Sequence, residues 1–228
     1  LGSILNTNNT LPILDNFLFD INEGNLIITS SDLETSLSSK ISIESTINIK
    51  VAIPAKLLID ILKSLPDQPL TFSMSNNILE INSNNGKYAL SYMDGHEFPK
   101  SVIIEDAKEI SFSSKILLNI INSTIFASGN DDLRPVMSGV FFQISNDNSC
   151  FVATDAHKLV KYVRNDINSE NSIEFIVPNK PLNILKSILP EKVEDVRVLY
   201  NKTNAIFSFS TFTLICRLIE GKFPNYEA

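Results

Sequence analysis

The feature that most constrains this chain is an internal repeat. The segment "PILDNFLFDINEGNLIITSSDLE" (12–34) aligns without a gap on "PVMSGVFFQISNDNSCFVATDAH" (135–157), at an offset of 123 residues. Pro12 meets Pro135, Phe19 meets Phe142, Ile21 meets Ile144 and Asp32 meets Asp155. Further on, "VAIPAKLLIDILKSLP" (51–66) matches "FIVPNKPLNILKSILP" (175–190), and "DGHEFPK" (94–100) matches "EGKFPNY" (220–226). Identities are few, but the order and spacing of elements agree. A fixed self-similarity of this kind means one supersecondary unit used twice. The two copies are placed at 1–106 and 107–228, joined by the short charged linker around Ile103 to Lys108. A length of 228 residues accommodates two such units.

The copies differ at their fronts. The second opens with "EISFSSKILLNIINSTIFASGNDDLR" before Pro135, which reads as a short strand, a helix capped by Ser113 or Ser111, and a turn. The first has eleven residues before Pro12. A strand and most of a helix are therefore expected to be missing there, and the chain reads as a fragment. Within each copy, "NFLFDI" and "NLIITSSD", or "GVFFQI" and "SCFVATD", form a hairpin. Amphipathic helices follow Pro54 and Pro178, and three strands follow each helix. The expected class is α+β, with two helices packed on an antiparallel sheet in each complete copy.

The helices carry a charge signal. In 55–65, Leu57, Leu58, Ile61, Leu62 and Leu65 form the apolar face, and Lys56, Asp60 and Lys63 the opposite stripe. In 113–127 the polar stripe is Lys115, Asn119 and Asn122. In 179–189 it is Lys180, Asn183 and Ser187, with Lys186 alongside. Five lysines thus stand against one carboxylate, in a chain whose net charge is −7. An ordinary solvated face is one reading, and a weak surface for phosphates is the other. There is no arginine cluster for base edges and no aromatic series for stacking, so sequence-specific recognition is not expected.

Catalytic signals are sparse. Asp155 and His157 in "FVATDAHKLV" could suggest a hydrolase, but the first copy has Ser31-Asp32-Leu33-Glu34 in place of Thr154-Asp155-Ala156-His157. The aspartate recurs and the histidine does not. Both aspartates are expected to cap the turn that leaves the strand. His96 is expected in an exposed loop. Cys150 and Cys216 lie in apolar runs without ligand spacing and read as buried free thiols of a cytosolic protein, a disulfide between them being the alternative. No catalytic group, metal or cofactor is expected, since no glycine-rich phosphate loop or nucleophile elbow occurs among only seven glycines. No apolar run reaches the ~18 residues of a membrane span.

The ordered set "LPILDNFLF", "TSSDLE", "VAIPAKLLIDILKSLP", "GHEFP", "RPVMSGVFF", "FVATDAHKLV", "FIVPNK" and "EGKFPNY" resembles the bacterial DNA polymerase III beta subunit family, the sliding clamps, over nearly the whole chain. The resemblance implies a cytoplasmic, non-catalytic processivity factor with three such domains per chain. Two chains would close head to tail into a homodimeric ring around duplex DNA, with helices lining the hole. It implies that the third domain is absent here. It also implies that the "VATDAHKL" loop is one wall of a hydrophobic pocket for short peptides of polymerases and the clamp loader. The residues matching that wall are Met137, Thr154, Ala156, His157, Leu159 and Pro224. Ala156 stands where the family often has glycine. Lys56, Lys63, Lys115, Arg134 and Lys180 match or lie near ring-lining basic positions, whereas Asn8 stands where the family often has an arginine. A clamp-like binding module that does not encircle DNA is the alternative.

Overall fold

The computed structural model describes residues 1–5, 11–131, 133–170 and 172–227. The chain divides into two compact units, Leu1–Ser101 and Val102–Ala228. In the first, a 3-10 turn at Pro12–Asp15 leads into β1 (Asn16–Asn22), β2 (Asn25–Ser31), β3 (Thr35–Ser42) and β4 (Ile49–Pro54). Then come α1 (Ala55–Ser64), β5 (Thr71–Ser75), β6 (Ile78–Ser83), β7 (Gly86–Ser91), β8 (Met93–Asp94) and a 3-10 turn at Gly95–Glu97. The strands pair antiparallel as β8-β4-β1-β2-β3 and as β5-β6-β7.

The second unit begins with β9 (Lys108–Ser113) and α2 (Ser114–Thr124), followed by 3-10 turns at Ile125–Ala127 and Pro135–Met137. It continues with β10 (Gly139–Ile144), β11 (Ser149–Thr154), β12 (Leu159–Arg164), β13 (Ile173–Pro178) and α3 (Asn179–Ile188). It ends with β14 (Asp195–Tyr200), β15 (Asn204–Phe209) and β16 (Phe212–Arg217). Its antiparallel sheets are β12-β11-β10-β13 and β9-β14-β15-β16.

The repeat holds down to strand register. Leu18 lies opposite Thr29 and Ala52, and Phe141 lies opposite Val152 and Ile176. Ala52 also pairs with Met93, as Ile176 pairs with Ile219 in an isolated bridge. The fold class is α+β, as expected. β9 and α2 have no counterpart among the described residues of the first unit, which therefore shows one α-helix where the second has two. β3, β4, β8, β12 and β13 were not anticipated from the sequence. β3 and β12 are strands whose exposed face is polar or mixed, so neither shows a simple hydrophobic alternation.

The inner faces form the cores. In the second unit Phe142 packs edge-on to Phe151 (5.0 Å between ring centroids) and stacks on Phe175 (5.2 Å). Leu117, Ile120 and Ile121 of α2 and Leu182 and Leu185 of α3 are fully buried. Each such side chain contributes roughly 1.5–3 kcal/mol by leaving water. In the first unit, Phe17, Phe19, Ile53, Leu58, Leu79 and Ile81 form the corresponding cluster.

Three details differ from expectation. Leu57 and Leu62, assigned to the apolar face, are 55% and 39% exposed. Leu57 corresponds to Pro181, which is buried in the unit where α2 packs beside α3. Ser113 occupies the position before α2 but makes no side-chain cap. The helix start is fixed instead by Ser114: its Oγ donates to the Lys192 carbonyl (3.3 Å) and accepts from Glu194 N–H (3.2 Å). Finally, α2 ends at Thr124, and the last expected turn is a separate 3-10 turn.

Ser30 on β2 is fully buried, and its hydroxyl finds no hydrogen-bond partner among the described residues. Its counterpart is Ala153, equally buried. Because a buried unpaired hydroxyl costs about 1–3 kcal/mol, Ser30→Ala is expected to stabilise the protein by about 1 kcal/mol. Denaturant unfolding should show a higher midpoint with an unchanged slope; a lower midpoint would mean that the hydroxyl has a partner.

Candidate functional site

The "TDAH" turn and its counterpart are the same construction. Leu33 (φ 77°) and Ala156 (φ 75°) are both in the left-handed region, where a Cβ is costly. The preceding hydroxyls accept from the strained residues: Ser31 Oγ from Leu33 N–H (3.2 Å), Thr154 Oγ1 from Ala156 N–H (3.1 Å). Asp32 Oδ1 accepts from the N–H groups of Glu34 (3.0 Å) and Thr35 (2.6 Å). Asp155 Oδ1 accepts from those of His157 and Lys158, both at 2.9 Å. The aspartates therefore cap the turn, as expected. Positive φ also explains why glycine suits the Ala156 position.

Asp155 is engaged further. Its Oδ2 lies 3.0 Å from Lys158 Nζ. The backbone N–H of Lys158, then its ammonium, then the N–H of His157 hold the carboxyl far below the usual carboxylate range. The bond between His157 and Asp155 runs through the histidine's backbone N–H, and the side chain of His157 is exposed. That arrangement orders a turn and does not orient the imidazole. Asp94 likewise accepts from the backbone N–H of the exposed His96 (2.9 Å), but there the same Oδ1 also lies 2.7 Å from the ring Nδ1, so this carboxylate meets its imidazole at the surface. Among the described residues no group of three or more His, Cys, Asp and Glu could hold a metal. Cys150 and Cys216 are free and buried, and burial pushes the Cys216 thiol up to about 12.

The turn sits at one end of a covered sheet face. On the face of β12-β11-β10-β13 opposite the helices, Phe141, Cys150, Val152 and Ile176 are buried by the segment 218–227. This strap is tied by Ile219 N–H to the Ile176 carbonyl (3.0 Å) and by Phe223 stacked on Phe141 (4.9 Å, 7°). The first unit repeats the device: Ile13, Leu14, Leu18, Ala52 and Phe98 cluster where the second has Val136, Phe141, Ile176 and Phe223. Tyr226 lies edge-on to both Phe141 and Phe223, its hydroxyl donates to Gln143 Oε1, and Lys161 of β12 reaches both its ring (5.3 Å) and Glu227.

The expected wall residues distribute around this face. Thr154 and Leu159 are cross-strand partners. Thr154 is buried and Leu159 is 48% exposed. Ala156 and His157 form the exposed turn beside them. Met137 is half-buried, with its carbonyl accepting from Gly129 N–H (2.8 Å). Pro224 lies between the two anchored strap residues, Phe223 and Tyr226. A depression of about 640 Å³ on the β13 side of the strap is bordered by Pro224, Phe141, Ile176 and Tyr226 but by none of the other wall residues. Lys161, Gln143 and Tyr226 were missed from sequence. The repeated "GHEFP" and "GKFP" mark the strap, but nothing local signals the groups it reaches.

The helix lysines stand mostly exposed. Lys56, Lys63, Lys115 and Lys186 are exposed and form no ion pair among the described residues, while Lys180 is half-buried. Several strand and loop cations are paired, among them Lys158 with Asp155, Lys161 with Glu227, Arg164 with Asp166 and Arg197 with Glu109, whereas Lys40, Lys100, Lys108, Lys192, Lys202 and Lys222 form no ion pair among the described residues either. Arg134 belongs with the paired cations, its Nε 2.9 Å from Asp131 Oδ2 in the loop before β10. Asn8 lies outside the described residues.

Because its pKa is depressed in the folded state, the Asp155 carboxylate stabilises the fold above the ordinary carboxylate range. That contribution is lost as pH falls through the lowered value. Asp155→Ala is expected to lower the melting temperature near neutral pH, and the gap to the wild type should narrow below pH about 4. A gap that stays constant into acid would show that the charge is not what holds the turn.

Residues 111–225 match the description "DNA polymerase III beta subunit, central domain", and residues 2–102 match "DNA polymerase III beta subunit, N-terminal domain". The Beta sliding clamp of Staphylococcus epidermidis is 31% identical over 226 residues, 95% of this chain and 60% of that protein. The DNA polymerase sliding clamp of Bacillus subtilis superposes with a TM-score of 0.91 at 25% identity, covering 98% of this chain and 62% of that one. The DNA polymerase III subunit beta of Pseudomonas aeruginosa gives 0.92 at 27%, covering 99% and 62%. The chain thus spans about 60% of the length of the curated relative. With both of its units matched in order, and with strap and turn repeated between them, the chain belongs to the DNA polymerase III beta subunit family.

Proposed function

We propose that these two units are part of a sliding clamp: a homodimeric ring that encircles duplex DNA without reading its sequence, performs no chemistry and acts in the cytoplasm. It tethers polymerase and clamp-loader subunits through short peptides seated against the wall of Met137, Thr154, Ala156, His157, Leu159 and Pro224. The observation that carries the DNA half of the reading is the set of exposed helix lysines without ion pairs, in a chain of net charge −7. Cations already engaged with carboxylates have little to offer a phosphate. Free ammonium groups gain by displacing DNA counterions, and point charges tolerate any register. Weak contacts suffice when a ring is held by topology, and an acidic remainder discourages attachment from outside.

The peptide half rests on a difference between the copies. Glu34 and Ser36 in the first unit become His157 and Leu159 in the second. The same skeleton exchanges a charged, polar edge for one with an exposed leucine and no carboxylate, which suits an apolar side chain of a peptide.

Lys56→Glu combined with Lys115→Glu, in the natural polypeptide that carries these units, is expected to lower processivity and retention on DNA. Stability should change by less than about 0.5 kcal/mol, because both positions are exposed. The functional loss should shrink as salt rises. Loss of stability in step with function would mean that the lysines serve the fold.

A further inference from the structure

The strap carries one group of contacts in the second unit that the first does without. In both units the strap is pinned by a phenylalanine, Phe98 or Phe223, on the outer face of the sheet. In the second unit it is also latched sideways. Tyr226 donates through its hydroxyl to Gln143 on β10, and Lys161 on β12 holds the Tyr226 ring and the Glu227 carboxylate. The positions equivalent to Gln143, Lys161 and Tyr226 in the first unit are Asp20, Ser38 and Ser101, a set with neither ammonium nor phenol. Asp20 is turned to another use, 3.7 Å from Lys50. The first unit folds its strap without these groups, so the latch is not a requirement of the fold.

The latch joins two particular elements. Lys161 is two residues from Leu159 on β12, so the side chains of Leu159 and Lys161 emerge on the same face of the strand. Tyr226 is two residues beyond Pro224, whose other neighbour is the stacked Phe223. We propose that Lys161, Tyr226 and Gln143 are positioning residues of the peptide-binding wall, tying the strap that carries Pro224 to the strand that carries Leu159. The latch fixes the spacing of the two apolar edges before a peptide arrives, and lowers the ordering cost of binding. This inference rests on the reading of that wall as a peptide site.

The test uses the natural polypeptide that carries these units. The probe is the tightest-binding member of a set of labelled, overlapping short peptides spanning the host's replicative polymerase, read by fluorescence polarisation. Lys161→Ser installs the first unit's residue; it should leave the melting temperature nearly unchanged and weaken the probe about tenfold. Lys161→Arg keeps charge and ring contact and should restore affinity. Tyr226→Phe removes only the bond to Gln143, two strands away from Leu159, and should weaken the probe about threefold. Both changes act through the strap, so the double variant should lose no more than the larger single. Leu159→Asp serves as the control for the wall itself and should weaken the probe at least tenfold. If Leu159→Asp weakens binding while Lys161→Ser does not, the latch is overturned and the wall stands. Additive losses, or a loss that arginine fails to restore, also overturn it, since Lys161 would then act on the peptide directly. If neither Leu159→Asp nor Lys161→Ser changes affinity, the wall reading fails and the latch with it.

Discussion

The structure depends on a sheet that must be covered on both faces. Every residue of β11 is buried, as are all but one of β10. An antiparallel sheet with one wet face would alternate. Helices cover one side. The other is closed by a strap of a few residues, whose hold is the stack of Phe223 on Phe141 at 4.9 Å. In the first unit Phe98 plays that part against Leu18 and Ala52. Since the strap is also the route by which the chain leaves each unit, closing the core and positioning Pro224 are one event. The candidate wall is built from the exit of the unit, not added to it.

The second shared device is the left-handed turn. Placing a non-glycine residue there costs about 1–2 kcal/mol, and both units accept that at Leu33 and Ala156. The cost is offset by a hydroxyl and a carboxylate that take up the turn's N–H groups. Holding the skeleton in this way leaves the outward positions free to differ. Glu34 and Ser36 in one unit, and His157 and Leu159 in the other, stand at the same places with different chemistry. The backbone is common property of the two copies, and specialisation lies in the few side chains it presents.

Much of this was legible in the sequence because repetition acts as an internal control. A shared Asp32 and Asp155 argued for a cap, and the hydrogen bonds are those of a cap. The helices after Pro54 and Pro178 were found through their apolar period. What escaped depends on contacts distant in sequence. β3 and β12 present mixed exposed faces, so their strand character comes from pairing with β2 and β11. Leu57 and Leu62 fit an apolar stripe, but their exposure depends on what packs alongside the helix. Ser113 looked like a cap, yet the bonds that start α2 come from Ser114 and reach residues 192 and 194. Lys161 and Tyr226 are 65 residues apart in a chain that gives each an unremarked local setting.

The electrostatics point the same way as the family relationship. Exposed helix lysines without ion pairs provide weak, register-free attraction, too little to keep a protein on DNA at physiological salt. On the proposed reading, retention comes from closure around the duplex. The direct measurement is the lifetime of the natural polypeptide on DNA after loading, compared between a nicked circle and the same molecule cut once at a distant site. A ring should persist on the circle at salt concentrations that screen phosphate contacts and should run off within the dead time of the experiment once the DNA is cut. Equal lifetimes on circular and linear DNA, both shortened by salt, would contradict the account.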